Sequence, residues 1–173
     1  NTPVVPVAVY GNRAVEDALQ EMADLCKKNG FRVVGGAEMV APHSLDRRFG
    51  AGRPDEKDVA QLKSFLTALT TRENLRDVPM PGSHDYKPYK GLPLYPSSGI
   101  HCSGCGTCSA ECPAGAIDQG DPRKPDKTKC ISCMRCISVC PFEVRHLPRA
   151  MKLAAAASLK VMCAGRKEPK FYI

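Results

Sequence analysis

Residues 102–141 of this chain have the sequence CSGCGTCSAECPAGAIDQGDPRKPDKTKCISCMRCISVCP. The spacing C-x2-C-x2-C-x3-C-P occurs twice here, and each cysteine of the first copy recurs 28 positions later. Eight of the chain's ten cysteines lie in this stretch, with no histidine between the first and the last. Such runs are typical of thiolates that bind iron–sulfur clusters, so the stretch predicts a chain that holds clusters and moves electrons. The first motif contains Cys102, Cys105, Cys108 and Cys112, and the second contains Cys130, Cys133, Cys136 and Cys140.

Other uses of clustered cysteines fit this spacing less well. A zinc site would use paired C-x2-C elements, and tetrahedral coordination leaves the third cysteine and the C-x3-C-P ending unexplained. Structural disulfides are typical of short exported chains, whereas this chain has 173 residues and opens without a signal sequence. A three-iron cluster usually lacks one cysteine, and here every ligand position holds one. We therefore predict two [4Fe-4S] clusters, and we expect Cys26 and Cys163, which lie outside the motifs, to be packing residues.

The fourth cysteine of each motif has a special role in two-cluster ferredoxins, where it ligates the other cluster. Carried over to this chain, that pattern implies one interlocked unit, so cluster binding and folding should be coupled. Between the third and fourth cysteines of each motif there is room for about one helical turn. After the motifs, Ala116, Ile117 and Val144 should supply short strands and apolar cover. Cluster one would be bound by Cys102, Cys105, Cys108 and Cys140, and cluster two by Cys112, Cys130, Cys133 and Cys136.

The two ligand loops differ in their chemistry. The first is filled with small residues, whereas the second contains Ile131, Met134 and Arg135. Reduction adds one negative charge to a cluster, and a nearby cation favours that state. One hypothesis is that Arg135 raises the potential of cluster two. The alternative is that it points into solvent and contributes little.

Upstream of the motifs the sequence predicts strand–helix–strand–helix. Residues 4–10 are apolar and β-branched, with Pro6 as an interruption, and residues 31–34 form a second short strand. Asp55 is a candidate cap for a helix that begins near Glu56. The first helix should bury Val15, Leu19, Met22 and Cys26, and the second should bury Val59, Leu62, Phe65, Leu66 and Leu69. After Pro148, a third helix should bury Met151, Ala155, Leu159 and Met162.

Several short stretches resemble the flavodoxin–ferredoxin fusion proteins of anaerobic microbes. They are Tyr10-Gly11-Asn12-Arg13, His43-Ser44, the segment 52–58 with the sequence GRPDEKD, and Arg166-Lys167-Glu168-Pro169. The resemblance implies that Tyr10, Gly11 and Asn12 lie beside a flavin, FMN, if the front half of the flavodoxin-like domain is present. That half is absent from this sequence, which opens without methionine, and we expect a processed product or a fragment. The alternative is a strand-to-helix turn without a ligand.

The expected fold class is α+β. A partial flavodoxin-like α/β segment precedes a pseudo-twofold two-[4Fe-4S] ferredoxin fold. The expected domains are the α/β segment at 1–73, a Pro- and Gly-rich linker at 74–98 that includes Tyr89, the ferredoxin domain at 99–147, and a C-terminal helix with a basic tail at 148–173.

The charge of +7 is concentrated at the end of the chain, where residues 142–173 carry seven basic and two acidic side chains. This surplus favours an acidic redox partner protein, with a merely solvated surface as the alternative. No recognisable nucleic-acid-binding fold accompanies the charge, so no nucleic acid is expected. No run of about 18 apolar residues exists, so no membrane span is expected, and a cytoplasmic location is predicted.

These observations favour electron transfer through two [4Fe-4S] clusters by a non-enzymatic carrier. No catalytic acid, base or nucleophile stands out. Two alternatives stay open: the chain is the iron–sulfur portion of a flavin-dependent oxidoreductase, or its clusters are structural.

Overall fold

The structure is a computed structural model that describes residues 2–86 and 91–173, so Tyr89 of the predicted linker lies outside the described residues. It has a mixed α and β architecture divided into two compact units, Asn1–Pro88 with Leu159–Ile173, and Tyr89–Ser158. In the described part of the chain, no helix combines the length and apolar character that crossing a membrane requires. Along the chain the elements are β1 (Pro3–Val4), β2 (Val7–Tyr10), α1 (Ala18–Lys28), β3 (Arg32–Val33), β4 (Gly36–Val40), α2 (Glu56–Thr70), β5 (Ser97–Ser98), α3 (Thr107–Ala110), α4 (Arg135–Ser138), β6 (Arg145–His146), α5 (Arg149–Met162) and β7 (Lys170–Tyr172).

The first unit is built on parallel strands joined by α1. β1 pairs with β3, and β2 pairs with β4 in the register Val7 to Ala37. Pro6 separates β1 from β2, as the sequence predicted, because proline has no N–H for the ladder. The strand predicted at 31–34 corresponds to β3, and the separate strand β4 was not predicted. All five residues of β4 are buried, which is typical of a strand covered on both faces.

The core of the first unit lies between α1 and the sheet. Leu19 and Ala23 of α1 pack with Ala8 and Val33, and the predicted helix residues Val15, Met22 and Cys26 pack at its edge. Val78 and Met80, from the segment predicted to be a linker, are also part of this core. Gly36 permits the close approach of Met80, whose sulfur would lie 2.3 Å from a Cβ at that position.

Helix α2 begins where the sequence predicted, but its buried face is different. Asp55 is the N-cap, and its side chain accepts a hydrogen bond from the Asp58 backbone in a reciprocal capping box. Phe65 is buried, whereas Val59 and Leu66 are 38% and 45% exposed, so their predicted burial was wrong. The fully buried Asp58 lies in the first turn of α2, on the same inward face as Phe65 and two turns before it. The pattern of apolar residues could not predict this burial, because Asp58 is charged.

The C-terminal strand β7 is an element that the sequence analysis missed. It pairs antiparallel with β4, on the edge opposite β2. The Phe171 ring stacks on Phe65 with centroids 5.1 Å apart, and the Tyr172 hydroxyl donates to Glu38 at 2.6 Å. β7 therefore adds an edge strand to the sheet.

A charged network, called here the Asp58 network (Arg53, Asp55, Asp58 and Arg166), attaches this returning segment to the start of α2. Arg53 Nη2 donates to Asp58 Oδ1 at 2.6 Å, and Arg53 Nε contacts the other carboxylate oxygen. Arg166 donates to Asp58 at 3.1 Å and to Asp55 at 2.6 Å. The Asp58 side chain is fully buried, so all of its acceptor capacity is supplied inside the protein.

The second unit contains both cysteine motifs and little regular structure. Helices α3 and α4 are the predicted single turns between the third and fourth cysteines. Ala116, Ile117 and Val144 were expected to supply short strands, but none of them lies in a strand. Instead β6 pairs antiparallel with β5, at the end of the predicted linker. Ala116 and Ile117 are buried and provide the expected apolar cover.

The third predicted helix is α5, with Leu159 buried. Met162 is 45% exposed, so its predicted burial was wrong. Cys163, just beyond the helix, is buried and agrees with a packing role.

Candidate metal centre

Two cavities of similar size, about 20 Å³ each, lie within the second unit. Each is lined by four cysteine thiols, three from one motif and the fourth from the other motif. The first cavity is lined by Cys102, Cys105, Cys108 and Cys140. The second cavity is lined by Cys112, Cys130, Cys133 and Cys136. Among the described residues, no three His, Cys, Asp or Glu side chains are arranged to hold a single metal ion.

The backbone around the two cavities repeats with the same 28-residue interval as the cysteines. α3 and α4 are equivalent turns, and each is preceded by a left-handed residue, Gly106 with φ 76° and Met134 with φ 61°. Two further pairs of positions, 104 with 132 and 115 with 143, also have positive φ. In the first motif all three positions hold glycine, which adopts this conformation without a Cβ clash. At the equivalent positions of the second motif, Ser132, Met134 and Glu143 adopt the same positive φ. The loop therefore has the same backbone conformation in both motifs, although L-residues disfavour it.

Polar groups around the thiols favour the thiolate state at the first cavity. The Ser98 hydroxyl and the Gly104 backbone lower the pKa of Cys102, with a contribution from the charges of Arg145 and Arg123. The hydroxyl and backbone N–H of Thr107 lower the pKa of Cys105. At the second cavity the Ala116 backbone N–H donates to the Cys112 sulfur at 3.3 Å.

Burial acts in the opposite direction on Cys136. It raises the pKa of this thiol to about 11, against the opposing charge of Arg145. A protonated thiol is a poor ligand, and a bound metal centre deprotonates it by supplying positive charge. Eight free thiols without histidine, grouped as two sets of four around cavities, fit iron–sulfur clusters as the bound group.

Arg145 is a residue near the cysteines that the sequence analysis missed. It is 2% exposed and lines the first cavity. Its Nη1 donates to the Pro96 carbonyl at 2.8 Å, and its Nη2 contacts the Pro122 carbonyl. A signal was present in the repeat, because the equivalent position 28 residues earlier holds Ile117, which is also buried.

Arg135, which the sequence singled out, lies in a different setting. Its side chain is 54% exposed and forms an ion pair with Glu111. The carboxylate offsets the charge and solvent screens it. The main physical reason for expecting Arg135 to raise the potential of cluster two is therefore lost.

The three residues of the predicted flavin loop lie in the first unit, and each has a different role. Tyr10 lines a cavity of about 590 Å³ together with Arg13 and Glu38. Gly11 packs against His43, and an added Cβ would lie 2.7 Å from His43 atoms. The Asn12 side chain is buried and holds the C-terminal segment: its amide donates to the carbonyls of Cys163 and Gly165 at 2.8 and 2.9 Å, and its oxygen accepts from the Lys167 backbone at 3.3 Å.

Comparison with known proteins agrees with the cysteine arrangement. Residues 101–145 match the family model described as the 4Fe-4S dicluster domain. The ferredoxin-like protein in nif region of Sinorhizobium fredii is 37% identical over 54 residues, which cover 27% of this chain and 84% of that protein. One subunit of the ion-translocating oxidoreductase complex of Methanosarcina acetivorans is 38% identical over 66 residues, covering 38% of this chain and 24% of the relative. One subunit of the Na(+)-translocating ferredoxin:NAD(+) oxidoreductase complex of Acetobacterium woodii is 42% identical over 55 residues, covering 30% of this chain and 16% of the relative.

The chain thus spans about a quarter or less of the length of the two oxidoreductase subunits. No solved structure matches it significantly. The match to the Sinorhizobium protein, by contrast, covers most of that relative. The chain therefore belongs to the ferredoxin-like proteins, with a 4Fe-4S dicluster domain at residues 101–145.

Proposed function

We propose that this chain binds two [4Fe-4S] clusters with crossed ligands and passes single electrons between them and a redox partner protein. Cluster one is held by Cys102, Cys105, Cys108 and Cys140, and cluster two by Cys112, Cys130, Cys133 and Cys136. The observation that carries this proposal is the lining of the two cavities, each of which takes its fourth thiol from the opposite motif.

The chain's own residues provide the setting for this chemistry. When bound, each cluster accepts and releases one electron without a bond being formed or broken. The left-handed residues before α3 and α4 turn the backbone so that three cysteines face one cavity. The crossed fourth ligands then connect the two motifs, so that neither cavity is complete without the other motif. This arrangement supports coupled folding and cluster binding.

Metal analysis and EPR test the proposal. Anaerobically purified wild-type protein should contain about eight iron and eight sulfide per chain, since two cubanes are expected. Reduction with dithionite should give the EPR signal of reduced four-iron clusters. Cys105→Ser should lower the iron content, whereas the control Cys26→Ser, which changes a cysteine outside both cavities, should not. A preparation that contains zinc but no iron contradicts the proposal, and clusters that dithionite cannot reduce favour the structural alternative.

The similarity to these relatives supports a place in a larger redox system. Two of them are subunits of oxidoreductase complexes. The alternative that this chain is the iron–sulfur portion of a flavin-dependent oxidoreductase therefore stays open. The division into four segments, 1–73, 74–98, 99–147 and 148–173, stays a prediction. A cytoplasmic location stays a prediction as well.

A second candidate function is FMN binding by the loop that contains Tyr10, Gly11 and Asn12. The cavity beside Tyr10 and the resemblance to flavodoxin–ferredoxin fusion proteins favour it. The test is an FMN titration of the full-length wild-type protein, because the expectation requires the front half of the flavodoxin-like domain. Quenching of flavin fluorescence that is lost in Tyr10→Ala supports the proposal, and the absence of quenching by the wild type contradicts FMN binding by this chain.

The proposal of an acidic redox partner rests on only some of the basic residues in the C-terminal part of the chain. Arg166 and Lys170 form ion pairs within the first unit, with Asp55 and Glu38 among their partners. The basic residues of α5, Arg149, Lys152 and Lys160, are the ones we assign to partner attraction. Replacing all three with glutamine should weaken the salt dependence of electron transfer to an acidic partner. An unchanged salt dependence contradicts this assignment.

A further inference from the structure

The two cavities differ at one pair of equivalent positions. Ile117 lines the second cavity, and Arg145, 28 residues later, lines the first. Both side chains are buried, with 5% and 2% exposure. The repeat therefore places an apolar side chain beside one set of four thiols and a guanidinium beside the other.

Arg145 has hydrogen-bond partners but no carboxylate partner. Its acceptors are the backbone carbonyls of Pro96 and Pro122. Among the described residues, no Asp or Glu forms an ion pair with it, in contrast to Arg135 and its partner Glu111. A buried charge without a counter-charge is strongly unfavourable. The four thiolates that line the same cavity are the groups that can supply the negative charge.

We propose that Arg145 is the internal counter-ion of cluster one and makes it the first of the two clusters to be reduced. The inference rests on the proposed function, because it requires two clusters. The oxidised unit of one cubane and four thiolates carries a charge of about −2, and one electron from an external donor takes it to about −3 with no bond made or broken. A fixed cation stabilises the more negative state.

The surroundings of the second cavity act in the opposite sense. Its lining next to the thiols is apolar and includes Ala116, Ile117, Ile131 and Met134, with no charged side chain. An added negative charge is less stable in such a medium. The charge of Arg145 also reaches Cys136 of the second cavity. Arg145 lines only the first cavity, however, so its larger effect belongs there.

The test is an EPR-monitored redox titration of the holoprotein and three variants. Arg145→Ile installs the side chain found at the equivalent position, and Arg145→Lys keeps the charge but presents fewer donors. Arg135→Gln is the matched control, because it removes an exposed, paired cation from the other motif. Hyperfine-shifted NMR signals of the cysteine β-protons assign each reduction step to the ligands of one cluster. This assignment needs only the wild type, so it decides the order of reduction even if Arg145→Ile loses its clusters.

We expect the ligands of cluster one, with Cys102 among them, to show the first reduction in the wild type. Arg145→Ile should lower the reduction equilibrium constant of cluster one relative to cluster two by at least about tenfold, equivalent to about 59 mV for one electron. Arg145→Lys should restore most of that change, and Arg135→Gln should leave both potentials unchanged. First reduction at the ligands of cluster two overturns the inference, as does a change of less than about twofold in Arg145→Ile. Either result with full iron content leaves the proposed function intact, whereas absence of iron refutes the proposed function itself.

Discussion

Replacing Asp58 with asparagine should destabilise the first unit strongly. The wild-type carboxylate is fully buried and accepts hydrogen bonds from Arg53, Arg166 and the Asp55 backbone. Asparagine has nearly the same shape, so the packing around the side chain is retained. One carboxylate oxygen becomes an NH2 group, which must face an arginine donor. The Arg53 guanidinium, whose side chain is 6% exposed, then loses its buried counter-charge.

The expected magnitude follows from that lost counter-charge. Removing one partner of a buried ion pair costs about 3–5 kcal/mol, because the other charge stays buried. Asp55 lies 3.8 Å from Arg53 and offsets part of this, so we expect the lower end of the range. Small domains have a total stability of about 5–15 kcal/mol, so the variant should remain folded but open more often. A loss of about 3 kcal/mol corresponds to about a hundredfold increase in the open fraction.

Hydrogen exchange by mass spectrometry is the suitable assay, because the chain has two units and a single unfolding midpoint would mix them. Amides of α2 and β7 should exchange about a hundredfold faster in Asp58→Asn than in the wild type. Glu56→Gln is the control, since Glu56 lies exposed in the same first helical turn, and exchange there should change at most a few-fold. Less than a fivefold acceleration in Asp58→Asn would show that the buried charge pair does not hold this unit together.

Three further outcomes are expected. Gly115→Ala should lower the stability of the second unit by about 1 kcal/mol, because it places an L-residue at φ 56°. Gly99→Ala, which has open space and no positive φ, should not, and anaerobic hydrogen exchange of amides in the second unit compares the two variants. Arg166 and Lys57 lower the pKa of Glu168 from 4.5 to about 2, so the stability from this carboxylate is present above about pH 4.5 and is lost as the pH falls toward 2. In a circular-dichroism titration with acid, Arg166→Gln should weaken this pH dependence. An acid transition that is unchanged in Arg166→Gln refutes the role of the ion pair. Asn12→Ala should lower the stability of the first unit by about 1–3 kcal/mol, because three backbone groups lose their hydrogen-bond partner. Hydrogen exchange of the backbone amides in residues 166–172 should become faster, and unchanged exchange there contradicts the role of Asn12.

The local geometry of the second unit was the most predictable part of the molecule. Cysteine spacing of two and three residues restricts the backbone so strongly that the single turns α3 and α4 followed from the sequence. The same applies to α1 and to the start of α2, where a regular apolar period and an Asp cap are strong local signals. Assignment to a 4Fe-4S dicluster domain was confirmed by comparison. The flavodoxin-like part and FMN stay predictions.

The missed features depend on contacts between distant residues. β7 has only three residues, one of them charged, and its pairing with β4 joins positions more than 130 residues apart. Asp58 and Arg145 are charged side chains, which are exposed by default, and only their partners in the fold explain their burial. Sequence reasoning therefore chose Arg135, which lies beside the cysteines in the chain, over Arg145, which lies beside them in space.

The crossed ligation of two clusters is tested most directly by a crystal structure of the anaerobically purified protein, with anomalous scattering measured at the iron absorption edge. We expect iron in both cavities as two four-iron clusters, with Cys140 bound to the cluster of the first motif and Cys112 bound to the cluster of the second. Iron in only one cavity, or Cys112 and Cys140 each bound to the cluster of its own motif, would contradict it.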